Sequence, residues 1–218
     1  LCDKKLLLRK KIKMLNFSKV TLSLVAVSLF SFADNEIKYS QELMDGFGKN
    51  CEAGNISICT TLGTIYENGL NGVEKDIIKA IKYYKKACGA NEYEACSNLG
   101  TIYMAKQEYK KAMELYTKAC NGGETMGCNN LGAVYSLGEG AKMDKVKGAM
   151  YYKKACDTGN WLGCRNFAKY QYDLDNIQKT KEYTKKACDM GRDADDVKNI
   201  PESKEIWQEA CRAYHILK

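Results

Sequence analysis

Histidine and proline are almost missing from this 218-residue chain, which has one of each, His215 and Pro201. Metal-dependent hydrolases gather histidines around the ion, and one imidazole near the C-terminus supplies no such cluster. A Ser-His-Asp triad could draw only on His215, and no serine carries the local signature of a nucleophile. The 18 glycines form neither a P-loop nor a G-x-G-x-x-G turn after a strand. With one proline, nearly the whole length is free of helix breakers.

Long apolar runs are also scarce. The clearest runs from Val20 to Phe30, behind the basic segment ending at Lys19 and ahead of Ser31-Phe32-Ala33. It falls short of the ~20 residues a membrane span needs. Its order of basic, apolar and small-x-small segments is that of a secretory signal peptide. The reading is therefore a leader over residues 1–33, with Met14 a better start than Leu1, and no cysteine at the cleavage point to carry a lipid. The leader accounts for most of the net charge of +7. Taking its seven basic residues from 34 and its one acid from 27 leaves 27 against 26. A net charge of +1 gives no electrostatic footprint for nucleic acid or, after cleavage, for a membrane.

Cysteine, by contrast, is abundant and regularly placed. Cys51/Cys59, Cys88/Cys96, Cys120/Cys128 and Cys156/Cys164 each have the spacing C-x7-C, and Cys188 continues the series. A mark recurring every 32 to 37 residues is the signature of a repeat array. The spacing fits neither the C-x2-4-C of zinc sites nor the C-x-x-C of redox enzymes, so the chain is read as having no metal and no cofactor. Paired structural cysteines persist in oxidising compartments.

The residues around the cysteines give the unit. AIKYYKKAC, AMELYTKAC, GAMYYKKAC and TKEYTKKAC place small residues eight before the cysteine (Ala80, Ala112, Gly148, Thr180), Tyr83, Leu115, Tyr151 and Tyr183 five before, and alanine one before. Steps of three and four put these on one face of a helix, here helix B, with lysines opposite. Gly54, Asn91, Gly123, Gly159 and Gly191 follow three after the cysteine, the place of a left-handed helix stop. A second helix, A, comes next (ICTTLGTIY, ACSNLGTIY, GCNNLGAVY, GCRNFAKYQ), with glycine at positions 63, 100 and 132 in its middle. Such a glycine costs about 0.5–1 kcal/mol relative to alanine, which predicts that a neighbouring backbone passes close by.

In one continuous helix, residues eight apart would be ~12 Å apart, too far for a disulfide. A stop between them lets helix A fold back on helix B, and the sulfurs then meet. Four bridges of this kind are predicted, with Cys188–Cys211 a fifth, since Trp207-x3-Cys211 echoes Trp161-x2-Cys164. The expected organisation is a helix over 37–50, units over about 55–90, 91–122, 123–158 and 159–190, and a cap over 191–218, all within one all-α array spanning 34–218.

The pattern KAxxYYKKAC-x2-G-x3-AC-x-NLG-x2-Y, with GxGVxKD between helices, resembles the Sel-like (Sel-one-like) repeat, a relative of the tetratricopeptide repeat. The leader and the C-x7-C pairs are similar to the secreted Helicobacter cysteine-rich protein family. This resemblance implies a right-handed α-solenoid of disulfide-stapled αα-hairpins that binds peptides or proteins, in the periplasm or outside the cell. Some members of that family carry a penicillin-binding or β-lactamase label, so a β-lactam or peptidoglycan hydrolase is the alternative. The S-x-x-K, S-D-N and K-T-G motifs of serine β-lactamases are missing from the sequence.

In such a solenoid helix A lines the concave side. Two residues after the second cysteine stand Thr61, Asn98, Asn130 and Asn166, and in tetratricopeptide relatives an asparagine on this helix often holds a peptide backbone. Side-chain amides both donate and accept. Asn129, Arg165 and Lys169, with Tyr66, Tyr103 and Tyr135, complete the candidate groove. The competing reading is that the asparagines bridge neighbouring helices and the tyrosines are core.

Overall fold

Three residues past Cys51, Cys88, Cys120 and Cys156 the backbone turns left-handed, at Gly54 (φ 101°), Asn91 (66°), Gly123 (91°) and Gly159 (104°). The next amide closes the turn onto a carbonyl five residues back, as Glu92 N–H does with Ala87 and Asn160 N–H with Ala155. This is the Schellman ending, and it reverses the chain within three residues. The structure is a computed structural model describing residues 38–194, 197–198 and 201–217. The leader read over 1–33, and the start of the opening helix at Ile37, lie outside the described residues.

All regular structure among the described residues is helical. An opening helix α1 (Gln41–Glu52) precedes four A–B pairs: α2 (Ile56–Asn68) with α3 (Ile77–Gly89), α4 (Tyr93–Ala105) with α5 (Tyr109–Asn121), α6 (Thr125–Leu137) with α7 (Lys145–Asp157), and α8 (Trp161–Asp173) with α9 (Ile177–Gly191). A last helix, α10 (Pro201–Leu217), packs on α9. Each helix packs on its chain neighbours, and the result is an α-solenoid.

Link length varies, but the closure of each link does not. The long links end on Asp76 and Asp144, whose carboxylates accept from the amides of Lys79 and Lys147 and so cap α3 and α7. Their own amides donate back to the carbonyls of Tyr66 and Tyr135. In the short link Glu108 N–H reaches the Tyr103 carbonyl, with Gln107 at φ 60°.

The predicted bridges form. Cys51–Cys59, Cys88–Cys96, Cys120–Cys128 and Cys156–Cys164 have Cα–Cα distances of 5.0, 4.7, 4.5 and 4.4 Å, and Cys188–Cys211 4.8 Å. Every bridge joins a B-type helix to the helix after it, so each fastens one repeat to the next.

Three local expectations are corrected. Gly191 is not a left-handed stop; it is the last residue of α9 and lies against the Trp207 indole. α9 runs two residues further past its cysteine than the other B helices, and the indole N–H donates to the Cys188 carbonyl at 2.8 Å. The mid-helix glycines do not admit a passing backbone. They admit rings: a Cβ at Gly63, Gly100 or Gly132 would sit 2.4, 2.6 and 2.5 Å from Tyr84, Tyr116 and Tyr152. Finally, the small-residue columns of helix B are buried as expected, but in the first two units the buried position between them is one residue later than the sequence columns placed it. Tyr84 and Tyr116, four before the cysteine, are 0% and 3% exposed, whereas Tyr83 and Leu115 are half-buried.

Candidate functional site

The rings that fill the glycine notches also reach the asparagine column. Tyr84 lies on Gly63, its hydroxyl donates to Glu67 at 2.8 Å and meets the Thr64 hydroxyl at 3.1 Å, and the Asn98 amide of the next A helix lies toward it. One repeat on, Tyr116 lies on Gly100, donates to the Thr101 hydroxyl at 3.2 Å and has the Asn130 amide toward it. Asn98 and Asn130 therefore stand half-buried at a seam, each amide beside a tyrosine of the preceding unit and able both to donate and to accept.

Further along, the column changes partners. Asn166 on α8 donates to the Asn129 side chain on α6 at 3.0 Å, and the Arg165 guanidinium donates to the Asn166 carbonyl oxygen at 3.4 Å while facing Glu209 of α10 at 3.8 Å. Asn129, Asn166 and Arg165 thus form one polar cluster joining two repeats. Asn129 is buried, and Lys169 is exposed one turn beyond Arg165. Thr61 is exposed and its hydroxyl donates back to the Ser57 carbonyl within its own helix.

The tyrosines at the end of helix A do not join this cluster. They turn toward helix B. Tyr66 stacks on Tyr83 and Tyr135 on Tyr151, with centroids 5.8 and 5.7 Å apart. A lysine lies over each A-helix ring: Lys79 over Tyr66, Lys111 over Tyr103 and Lys147 over Tyr135.

The A helices form the inner layer. α2 touches α4, α4 touches α6 and α6 touches α8, whereas no two successive B helices are in comparable contact among the described residues. Layers whose members crowd together lie on the concave side of a curved stack, so the A helices, which carry the asparagine column, are the inner layer.

Sequence reasoning missed the ring column Tyr84, Tyr116 and Tyr152. The fourth unit carried the signal, because it changes both partners together: Ala168 stands at the glycine position and Thr184 at the tyrosine position. Burial pushes all three phenols above their ordinary value, and for Tyr84 the acceptor Glu67 adds to this. A raised phenol keeps its proton in the fold at a pH where the unfolded chain has lost it. The associated stability is complete below about pH 10 and falls as pH climbs toward the folded-state values. Ultraviolet difference titration should therefore show a late-ionising set among the 15 tyrosines, with a denaturation midpoint that drops above about pH 10. One phase for all tyrosines, identical in native and denatured protein, would contradict the packing.

Among the described residues no group of three or more His, Cys, Asp or Glu side chains is placed to hold a metal. No described helix is long and apolar enough to cross a membrane. His215 is exposed on α10 beside Tyr214.

Comparison with known proteins agrees with this architecture. The Sel1 repeat model matches residues 60–91, 94–124, 125–160 and 173–191. A protective antigen of uropathogenic Escherichia coli with an SLR fold is 25% identical with a TM-score of 0.62, over 81% of this chain but only 39% of that one. A Sel1 repeat protein from Oxalobacter formigenes is 22% identical, also with a TM-score of 0.62, over 79% of both chains. Helicobacter pylori cysteine rich protein B is 27% identical over 56% of this chain and 89% of its own, with a TM-score of 0.43. No curated protein sequence matches significantly.

Proposed function

Because the chain belongs to the Sel1 repeat family, we propose that it is a rigid binding scaffold working outside the cytoplasm and holding extended peptides or protein termini along its inner surface. The asparagine column on touching A helices carries this reading. Asn98, Asn130 and Asn166 recur at one position of successive repeats, which suits an extended strand crossing them in order. Arg165 and Lys169 add cations at the α8 end for an acidic residue or a terminal carboxylate. The placement outside the cytoplasm rests on five disulfides, a number that a reducing compartment does not sustain. Covalent fastening between repeats holds the surface in one curvature before a ligand arrives, which reduces the ordering entropy of binding.

The test starts with affinity capture from envelope and secreted fractions and continues with anisotropy titration of the recovered peptides. Changing Asn98, Asn130 and Asn166 together to alanine removes two or three bonds of about 0.5–1.5 kcal/mol each. The expected loss is about tenfold or more in affinity, with the helical circular dichroism unchanged. Tyr84 and Tyr116 keep their bonds to Glu67 and Thr101, whereas buried Asn129 loses its bond from Asn166, so the double variant at Asn98 and Asn130 is measured beside the triple one. Unchanged affinity for every recovered peptide would refute the assignment.

A further inference from the structure

The second repeat lacks a ring that its neighbours have. In the first and third units Tyr83 and Tyr151, five before the cysteine, stack on the A-helix tyrosine. In the second unit that position is Leu115, and beside it lies a hollow of about 400 Å³ between α3 and α5, floored by Leu99, Tyr103 and Leu115 of α4 and α5. This volume is in the range of small-ligand sites. The first repeat shows what fits such a space. There the Tyr83 ring lies between α1 and α3, and its hydroxyl ends 3.4 Å from where a Cβ on Gly48 would be. The residue in register with Gly48 is Lys85, which lines the hollow.

The rim is mainly cationic. Lys85, Lys111 and Lys118 stand on it, with Glu114 as its one carboxylate. Lys111 is held by Glu108 and Lys118 donates to the Cys88 carbonyl at 2.6 Å, while Lys85 has no ion-pair partner among the described residues. No asparagine of the inner column contributes to the lining.

We propose that this hollow is a second binding site, which takes an aromatic side chain flanked by carboxylates from an acidic segment of a partner protein. The incoming ring occupies the space that Tyr83 fills in the first repeat, with Leu99 and Leu115 beneath it and Tyr103 at its side. The flanking carboxylates meet Lys85 and the rim lysines.

The probe is the acetylated, amidated tripeptide glutamyl-phenylalanyl-glutamate, with the alanine-centred tripeptide as control, followed by amide chemical shifts of the intact, oxidised chain. Shifts are expected at Lys85, Leu99, Tyr103 and Leu115, with the control at least about tenfold weaker and binding falling as salt is raised. Leu115→Tyr supplies the missing ring from within and is expected to abolish binding; tyrosine is already the residue at this position in three of the four units. Lys85→Glu, an exposed change, is expected to weaken it at least about tenfold and serves if the first variant misfolds. The triple asparagine variant is expected to bind the probe like the parent chain, which separates this site from the inner surface. Shifts confined to the asparagine face, equal binding by the control or by either hollow variant, or no saturable binding would overturn the proposal.

Discussion

With all five bridges reduced and the thiols alkylated, the protein is expected to have no cooperative helical transition left at about 37 °C. Four of the bridges close loops of nine residues and one closes a loop of 24. In the chain-entropy model each short loop contributes on the order of 2.5 kcal/mol and the long one about 3.4. Together they come to about 13 kcal/mol, which is as large as the whole stability of an ordinary domain, about 5–15 kcal/mol. A solenoid's stability is a sum of unit and interface terms, and the bridges sit at every interface, so the loss is spread over the whole array. Reduction should begin at Cys188–Cys211. Cys211 is half-exposed, whereas both sulfurs of Cys51–Cys59 and Cys120–Cys128 come from residues at most 1% exposed. Thermal circular dichroism of oxidised and alkylated protein measures the effect, and mass mapping of partly reduced samples measures the order. A reduced midpoint within a few degrees of the oxidised one would show that packing alone holds the stack.

The second large effect concerns Gly100 and Tyr116. Alanine at a mid-helix glycine normally gains about 0.5–1 kcal/mol. Here the added Cβ would lie 2.6 Å from the Tyr116 ring, which is 3% exposed and hemmed in by its surroundings. Overpacking of this kind costs about 1–3 kcal/mol, so Gly100→Ala is expected to destabilise. Tyr116→Thr alone leaves a cavity and is expected to cost about 3 kcal/mol or more. Combined, the methyl enters the space the ring has left, and the double variant should be more stable than the two losses added, with a coupling of about 1–2 kcal/mol. The fourth repeat already has this combination in Ala168 and Thr184, both buried. Urea unfolding of the four proteins closes the cycle. Additivity within about 0.3–0.5 kcal/mol would mean that the two positions do not interact.

These two cases mark what could be read from the sequence. The bridges were legible because cysteine pairing is binary and the C-x7-C spacing, with a left-handed residue between, leaves one local partner. Helix identities were legible for a similar reason, since small and aromatic residues recur in steps of three and four. The partner of the notch glycines was not. Tyr83 and Tyr84 are adjacent and chemically identical, and a rotation of about 100° decides which one enters the notch. Gly191 misled for a different reason. The same residue type at the same offset has two uses, turning the chain or clearing room for an indole, and only the arrival of Trp207 distinguishes them. At the site, the sequence placed Asn98, Asn130 and Asn166 in one column, but not their differing partners. Those depend on which hydroxyl the preceding B helix presents, and the third unit presents its tyrosine to Ser136 instead.

The offset between bridge and repeat has a bearing on how such a chain can change length. Cutting the array at equivalent points gives an A–B segment that holds the second sulfur of one bridge and the first sulfur of the next. Inserting or deleting one such segment therefore leaves no orphan thiol anywhere in the stack, because the flanking halves re-pair across the new junction. Only the two extremities need a lone half-partner, and Cys51 on α1 and Cys211 on α10 supply them. The covalent wiring is thus neutral to copy number, and a gene encoding it can gain or lose units by unequal crossover without exposing the product to scrambled pairing.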